Sequence, residues 1–190
     1  MNSFYALVAR TKNIDRWALM RNAEKENVQE HSHMVAVIAH ALALIRRDIF
    51  NIPCDPDRCA SAALFHDVPE IFTGDMPTPV KYHDPDMVAA YRRIENAAVD
   101  RLLNEIPEEL RGEYLSLFRP ESDVAEIVRA ADKISAYIKC VEELKAGNAE
   151  FSSAAESTIK KLHDMELPEV EYFIENFMPA FEKTIDELSV

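Results

Sequence analysis

Three glycines in 190 residues, Gly74, Gly112 and Gly147, restrict the fold of this chain more than any other feature. A sheet-rich domain reverses direction at every strand end, and tight reversals draw on the positive-φ conformations that glycine supplies. No sustained alternation of apolar and polar residues is present, and no internal repeat. The expectation is an all-α fold. With 48% hydrophobic residues the chain can fill a core, so residues 1–190 are read as a single compact helical domain of six to eight helices.

The helix punctuation is explicit. Asn27 and Glu30 have capping-box spacing ahead of "VQEHSHMVAVIAHALALIRR". Asp55-Pro56 and Asp84-Pro85 each pair an N-cap with a first-turn proline. Ser122 is expected to cap a long helix from 123, which Gly147 ends, and Ser153 with Glu156 to cap another. Pro168 opens a last helix that Pro179 should kink, and a shorter helix is expected near "PEELRGEYLSLF".

The formal charge of −13 argues against a nucleic-acid polymer as partner, since such proteins present a basic face to phosphates. No apolar run approaches the ~20 residues of a membrane span, and the N-terminal segment has no signal-peptide pattern. Cys54, Cys59 and Cys140, odd in number and without C-x-x-C spacing, suit free thiols in a reducing compartment. The cytoplasm and no membrane partner are the expectation.

Polar residues on apolar helix faces carry the chemistry. The stripe Val35, Ile38, Leu42, Ile45 runs back by four to His31, whereas His33 and His40 fall on the opposite face. Alone, His31 reads as a core histidine satisfied by a carbonyl. In "LFHDVPE", Leu64 and Phe65 read as core and are followed at once by His66 and Asp67. Pro69 then denies an amide to the Phe65 carbonyl, so the helix should stop just after the pair and aim both side chains at one point. Asp132 flanks the inner face formed by Val124, Ile127, Val128, Ala131, Ile134, Ile138 and Val141; alone it reads as half of a buried salt bridge. Together His31, His66, Asp67 and Asp132 offer two nitrogen and two oxygen ligands for one divalent ion. The mixture suits Mn²⁺, Co²⁺, Fe²⁺ or Zn²⁺ better than Mg²⁺.

The order His … His-Asp … Asp resembles the HD-domain superfamily of metal-dependent phosphohydrolases. "IDRWALMRN", "ENVQEHSHMVA", "HDVPEIFTGDMPTPVKY" and "ADKISAYIKCVEELKAGNAEF" together resemble the bacterial 5′-deoxynucleotidase family over most of the chain. The resemblance implies an HD-domain helical bundle that removes phosphate from deoxyribonucleoside 5′-monophosphates, with one divalent metal ion, Co²⁺, Mn²⁺ or a similar transition metal ahead of Mg²⁺ or Zn²⁺, and a homodimeric assembly. By matching position it makes His31, His66, Asp67 and Asp132 the metal ligands, with Asp67 and Asp132 also facing substrate. Arg16 and Trp17 become the phosphate and sugar contacts, Asp75, Met76, Pro77 and Thr78 the substrate segment, and Glu70 a catalytic acid.

The residue types fit those roles. Arg16 has a planar fork of donors for two phosphate oxygens, although an arginine is more often a surface charge. Trp17, the one tryptophan, would wall the sugar and leave a 2′-hydroxyl without a partner. Glu70 would orient or deprotonate the water, and Asp75 would either accept from a sugar hydroxyl or protonate the leaving O5′. The rival readings are another HD phosphohydrolase, a phosphodiesterase or a nucleoside triphosphohydrolase, and a non-catalytic helical interaction domain with a structural metal.

Overall fold

A computed structural model describes residues 2–81 and 83–188. Among these residues the chain is helical without a strand. The elements are α1 (Phe4–Val8), α2 (Val28–Leu44), α3 (Pro56–Phe65), the single turns α4 (Glu70–Thr73) and α5 (Thr78–Lys81), α6 (Pro85–Leu103), α7 (Glu108–Phe118), α8 (Ser122–Lys145), α9 (Ser152–His163), α10 (Pro168–Asn176) and α11 (Met178–Phe181). None of the helices is long and apolar enough to cross a membrane.

Most of the expected punctuation is in place. The Asn27 side chain accepts from the Gln29 and Glu30 amides while Glu30 returns a bond to the Asn27 amide. Asp55 accepts from the Arg58 amide at 3.0 Å and Asp84 from the Met87 amide at 2.8 Å. Gly147, at φ +85°, follows α8, its amide bonded to the Leu144 carbonyl. A break at Phe177 separates α10 from α11, next to Pro179. Two starts differ from expectation. Ser122 is already helical, behind a Glu121 N-cap that makes no side-chain bond. Ser153 and Glu156 lie inside α9, because Asn148 accepts from the Glu150 amide and nucleates a 3-10 turn, Ala149–Phe151, upstream.

Helix α2 packs against α3 and α8, where Val35, Ile38 and Leu42 meet Cys59, Ala62, Ala63, Ile127, Ala131 and Ile134. Small side chains at the seam let the backbones approach closely. A second core gathers Phe4, Val68, Val99, Leu102, Leu103 and Ile106. His66 and Asp67 therefore lie on the chain between Ala63 in one core and Val68 in the other. Leu64 departs from expectation, being 46% exposed. The buried face of α3 is Cys59, Ala62 and Ala63, which turns Leu64 outward.

The segment between α1 and α2 is the part that matters most for the site. Its ends are tied by an isolated bridge between Asp15 and Asn27. Its middle is fastened to α8 by Glu143, which accepts from the Ala23 amide at 2.8 Å, the Glu24 amide, Asn148 and the Lys139 ammonium. Glu143 is 2% exposed. Its donors outweigh the cost of burial and hold its carboxyl down at about 2. Glu143→Ala is expected to destabilise the fold by about 3–5 kcal/mol, because it strands the buried Lys139 charge and two amides. Chemical denaturation at neutral pH measures this. The stabilising contribution belongs to the ionised carboxylate, so it is present above the ordinary glutamate range and fades as pH falls towards 2.

Candidate metal centre and its arginine–tryptophan wall

His31 enters the site from the first turn of α2, fully buried as its stripe demands. Its Nδ1 faces the Ser135 hydroxyl at 3.2 Å and Glu26 Oε1 at 3.6 Å. Its Nε2 is thereby turned to Asp132 Oδ1 at 3.1 Å and Asp67 Oδ2 at 3.6 Å. His33 lies exposed on the other face, and His40, also off the stripe, is 3.7 Å from Asp57.

The His-Asp pair is delivered differently from the expected clean break. The α-helix ends at Phe65, one residue before His66. The chain then tightens into three-residue turns: the Val68 amide reaches the Phe65 carbonyl and the Glu70 amide the Asp67 carbonyl. The carbonyl that Pro69 leaves without its helical donor is satisfied by Val68 instead, and the tighter winding sets the direction of the pair. His66 Nδ1 bonds to the Ala63 carbonyl at 2.6 Å. Its Nε2 is buried without a hydrogen bond, 3.1 Å from Asp67 Oδ2 but outside bonding geometry.

His31, His66 and Asp67 each present a ligand atom within 4.8 Å of the others. Asp132 adjoins this trio through His31 rather than standing within it, and its side chain is 37% exposed. These residues fit a divalent cation. A histidine whose Nδ1 is engaged by a backbone carbonyl offers its Nε2 as a ligand, and here that nitrogen makes no hydrogen bond. The charges agree. Five carboxyl groups, Glu26, Asp67, Glu70, Asp75 and Asp132, act on one another or on Arg16. Burial disfavours charge on Asp67 and Asp132, yet the two imidazoles with Arg16 pull Asp67 well below the carboxylate range, and His31 holds Asp132 at about 2. Burial likewise opposes a charge on His31, and the carboxylates of Asp132 and Glu26 overcome it to raise the imidazole to about 9. That is the field a cation seeks.

Arg16 and Trp17 stand beside the trio. Arg16 Nη1 donates to Asp67 Oδ2 at 3.2 Å and its Nε to Glu26 Oε2 at 3.2 Å. Burial opposes its charge, but Asp67, Asp132, Glu26 and Asp75 together raise its pKa. The Trp17 indole donates to the same Glu26 Oε2 at 2.9 Å and leans on Phe151, ring centroids 5.2 Å apart. Burial raises the Asp75 carboxyl, while Arg16 draws it down. Glu70 opens α4, and one of its oxygens is buried without a partner. Burial, then Asp67 and Asp75, push Glu70 up to about 10. Met76 and Pro77 are half-buried in the loop after α4, and Thr78 is exposed at the start of α5.

Glu26 and Ser135 are site residues that the sequence did not single out. Ser135 carries a weak signal, a hydroxyl on the buried arc between Ala131 and Ile138. Glu26 carries none, since it sits in the charged run "EKEN" that reads as solvated loop.

The family model for YfbR-like 5′-deoxynucleotidases matches residues 3–181. A 5′-deoxynucleotidase of Vibrio parahaemolyticus is 47% identical over 190 residues, covering 98% of this chain and 97% of its own. An HD-domain phosphohydrolase from Listeria innocua superposes with a TM-score of 0.82 at 22% identity, over 94% of this chain and 88% of its own. The cyanophage S-2L HD phosphohydrolase, solved with dA and one catalytic Zn²⁺ ion, gives 0.66 at 21% identity over 94% and 96%.

Proposed function

The chain belongs to the YfbR-like 5′-deoxynucleotidase family, and we infer that it is a metal-dependent 5′-deoxynucleotidase converting deoxyribonucleoside 5′-monophosphates to deoxynucleoside and phosphate. The observation that carries this reading is the convergence of His31, His66 and Asp67, with Arg16 bonded to Asp67 at the edge of the trio. His31, His66, Asp67 and Asp132 would hold the cation, with Mn²⁺ or Co²⁺ the best match to their mixed nitrogen and oxygen donors. When bound, it supplies Lewis-acid stabilisation of charge on the phosphoryl oxygens.

The chain's own residues do the rest. Arg16 holds two phosphate oxygens and aligns the ester. A water attacks phosphorus opposite O5′, the P–O5′ bond breaks, and O5′ takes up a proton. Glu70 takes the water's proton, and a cation at Asp67 would remove part of the repulsion that, after burial, raises its carboxyl. Asp75 serves the sugar end, with Met76, Pro77 and Thr78 lining the substrate segment.

Residues 1–190 act as one HD phosphohydrolase domain, in the cytoplasm, with no membrane or nucleic-acid partner. The three free thiols and the −13 charge support that setting. A homodimer is proposed, with exposed Phe177 and Ile185 near the C-terminus as candidates for its contact face.

A panel of dAMP, AMP, deoxynucleoside triphosphates and cyclic dinucleotides, scored for free phosphate with Mn²⁺, Co²⁺, Zn²⁺ and Mg²⁺, tests the reading. Turnover of dAMP well above AMP is expected. Turnover of triphosphates or cyclic dinucleotides without monophosphates overturns it. Trp17 supplies the discrimination, because a flat indole against C2′ leaves a ribose hydroxyl buried and unpaired. Trp17→Ala is expected to narrow the deoxy-to-ribo ratio of kcat/KM by about tenfold to a hundredfold. An unchanged ratio removes Trp17 from that role.

A further inference from the structure

Trp17 has φ +57°, a left-handed backbone that a bulky residue rarely adopts. Such a conformation costs about 1–3 kcal/mol and persists only where its surroundings over-determine it. The surroundings converge on one side chain. Glu26 Oε2 accepts from both the Trp17 indole and the Arg16 guanidinium, while the Glu26 carbonyl takes the Arg16 amide at 2.9 Å. Phe151 backs the indole, and Asp67 takes the other end of the guanidinium. The Glu26 side chain is 15% exposed. The shared oxygen is thus clasped between a guanidinium and an indole.

We propose that Glu26 is a positioning residue that locks Arg16 and Trp17 into one rigid unit, so that phosphate capture and 2′-position discrimination are set together by a single carboxylate oxygen. The inference rests on the phosphate and sugar roles assigned above to Arg16 and Trp17. Two donors on one charged oxygen are held more strongly than on a neutral amide. Movement of the guanidinium on taking up phosphate must therefore be felt at the indole.

The chain's one tryptophan makes the coupling observable. The test uses the full chain with saturating Mn²⁺, wild type against Glu26→Gln, which keeps the shape of the side chain and removes its charge. Inorganic phosphate is titrated while Trp17 emission is followed, and kcat and KM are measured for dAMP and AMP. In the wild type, phosphate shifts the emission. In Glu26→Gln the response is expected to disappear, KM for dAMP to rise about tenfold with kcat changed less, and the deoxy-to-ribo ratio to fall about tenfold.

A wild-type phosphate response retained in Glu26→Gln, with KM and the ratio within about twofold of wild type, overturns the proposal. So does a fall in kcat alone, which would place the effect at His31 instead. Trp17→Ala separates this from the premise: if it narrows the ratio while Glu26→Gln does not, Glu26 has no positioning role and the roles of Arg16 and Trp17 stand. If Trp17→Ala also leaves the ratio unchanged, the premise itself fails, and the proposal with it.

Discussion

Asp67→Ala is expected to lose the divalent cation and phosphate release together. Asp67 is the carboxylate on which the site's charges meet: Oδ2 lies 3.1 Å from His66 Nε2, 3.6 Å from His31 Nε2 and 3.2 Å from Arg16 Nη1. Changes to residues that merely orient ligands cost about 10–100-fold in metal affinity. Removal of a proposed ligand that also neutralises Arg16 should exceed that. Losing several kcal/mol of stabilisation on the phosphoryl oxygens corresponds to about 10²–10⁴ in kcat/KM. Metal analysis of purified protein and phosphate release from dAMP read the two effects. The variant also leaves Arg16 bonded to Glu26 alone, so circular dichroism must show a folded chain. A folded Asp67→Ala that retains both its metal and its turnover would take Asp67 out of the centre. Retained metal in a wild type that releases no phosphate from any nucleotide would favour a structural role for the ion.

What the sequence disclosed here, and what it withheld, divide along a physical line. His31 was legible because a long amphipathic helix fixes rotation: counting back four from Val35 put it on the buried stripe, and it is buried. Asp132 was legible on α8 for the same reason. On α3, only ten residues long, two rotational settings satisfy the apolar pattern almost equally well. Packing against α2 selected the one that exposes Leu64. The direction of His66 and Asp67 came from three-residue turns rather than from a stop, which a proline rule does not distinguish. Glu26, Lys139 and Glu143 were hidden altogether. Charged residues in a polar run, or spaced by four on a helix, read as a solvated face. They are buried because the 14–27 segment folds over α8, and Glu143 meets Ala23 across 120 residues of chain. Trp17 gave no sign of its positive φ, since that conformation is imposed by its contacts and not by its type.

Glu70→Ala is expected to keep metal and nucleotide binding and to lose about 10²–10⁴ of turnover, the usual reach of a general acid or base. The same carboxyl makes a second, opposite contribution that an isosteric variant exposes. In the unfolded chain Glu70 gives up its proton near 4.5, whereas in the folded, chelator-treated protein burial with Asp67 and Asp75 holds that proton up to about 10. Between those values the native state binds more protons than the unfolded state, so folding stability falls as pH rises. Glu70→Gln cannot titrate and escapes that loss. Thermal melts of metal-free protein should therefore place Glu70→Gln above wild type at pH 8 and level with it at pH 4, while phosphate release with Mn²⁺ stays as low as in Glu70→Ala. A destabilised side chain retained at an active site is the expected mark of a group kept for chemistry. Equal melting temperatures at both pH values would mean that Glu70 is solvated like an ordinary helix-end acid. Loss of metal from Glu70→Ala would instead move the residue into the ligand set.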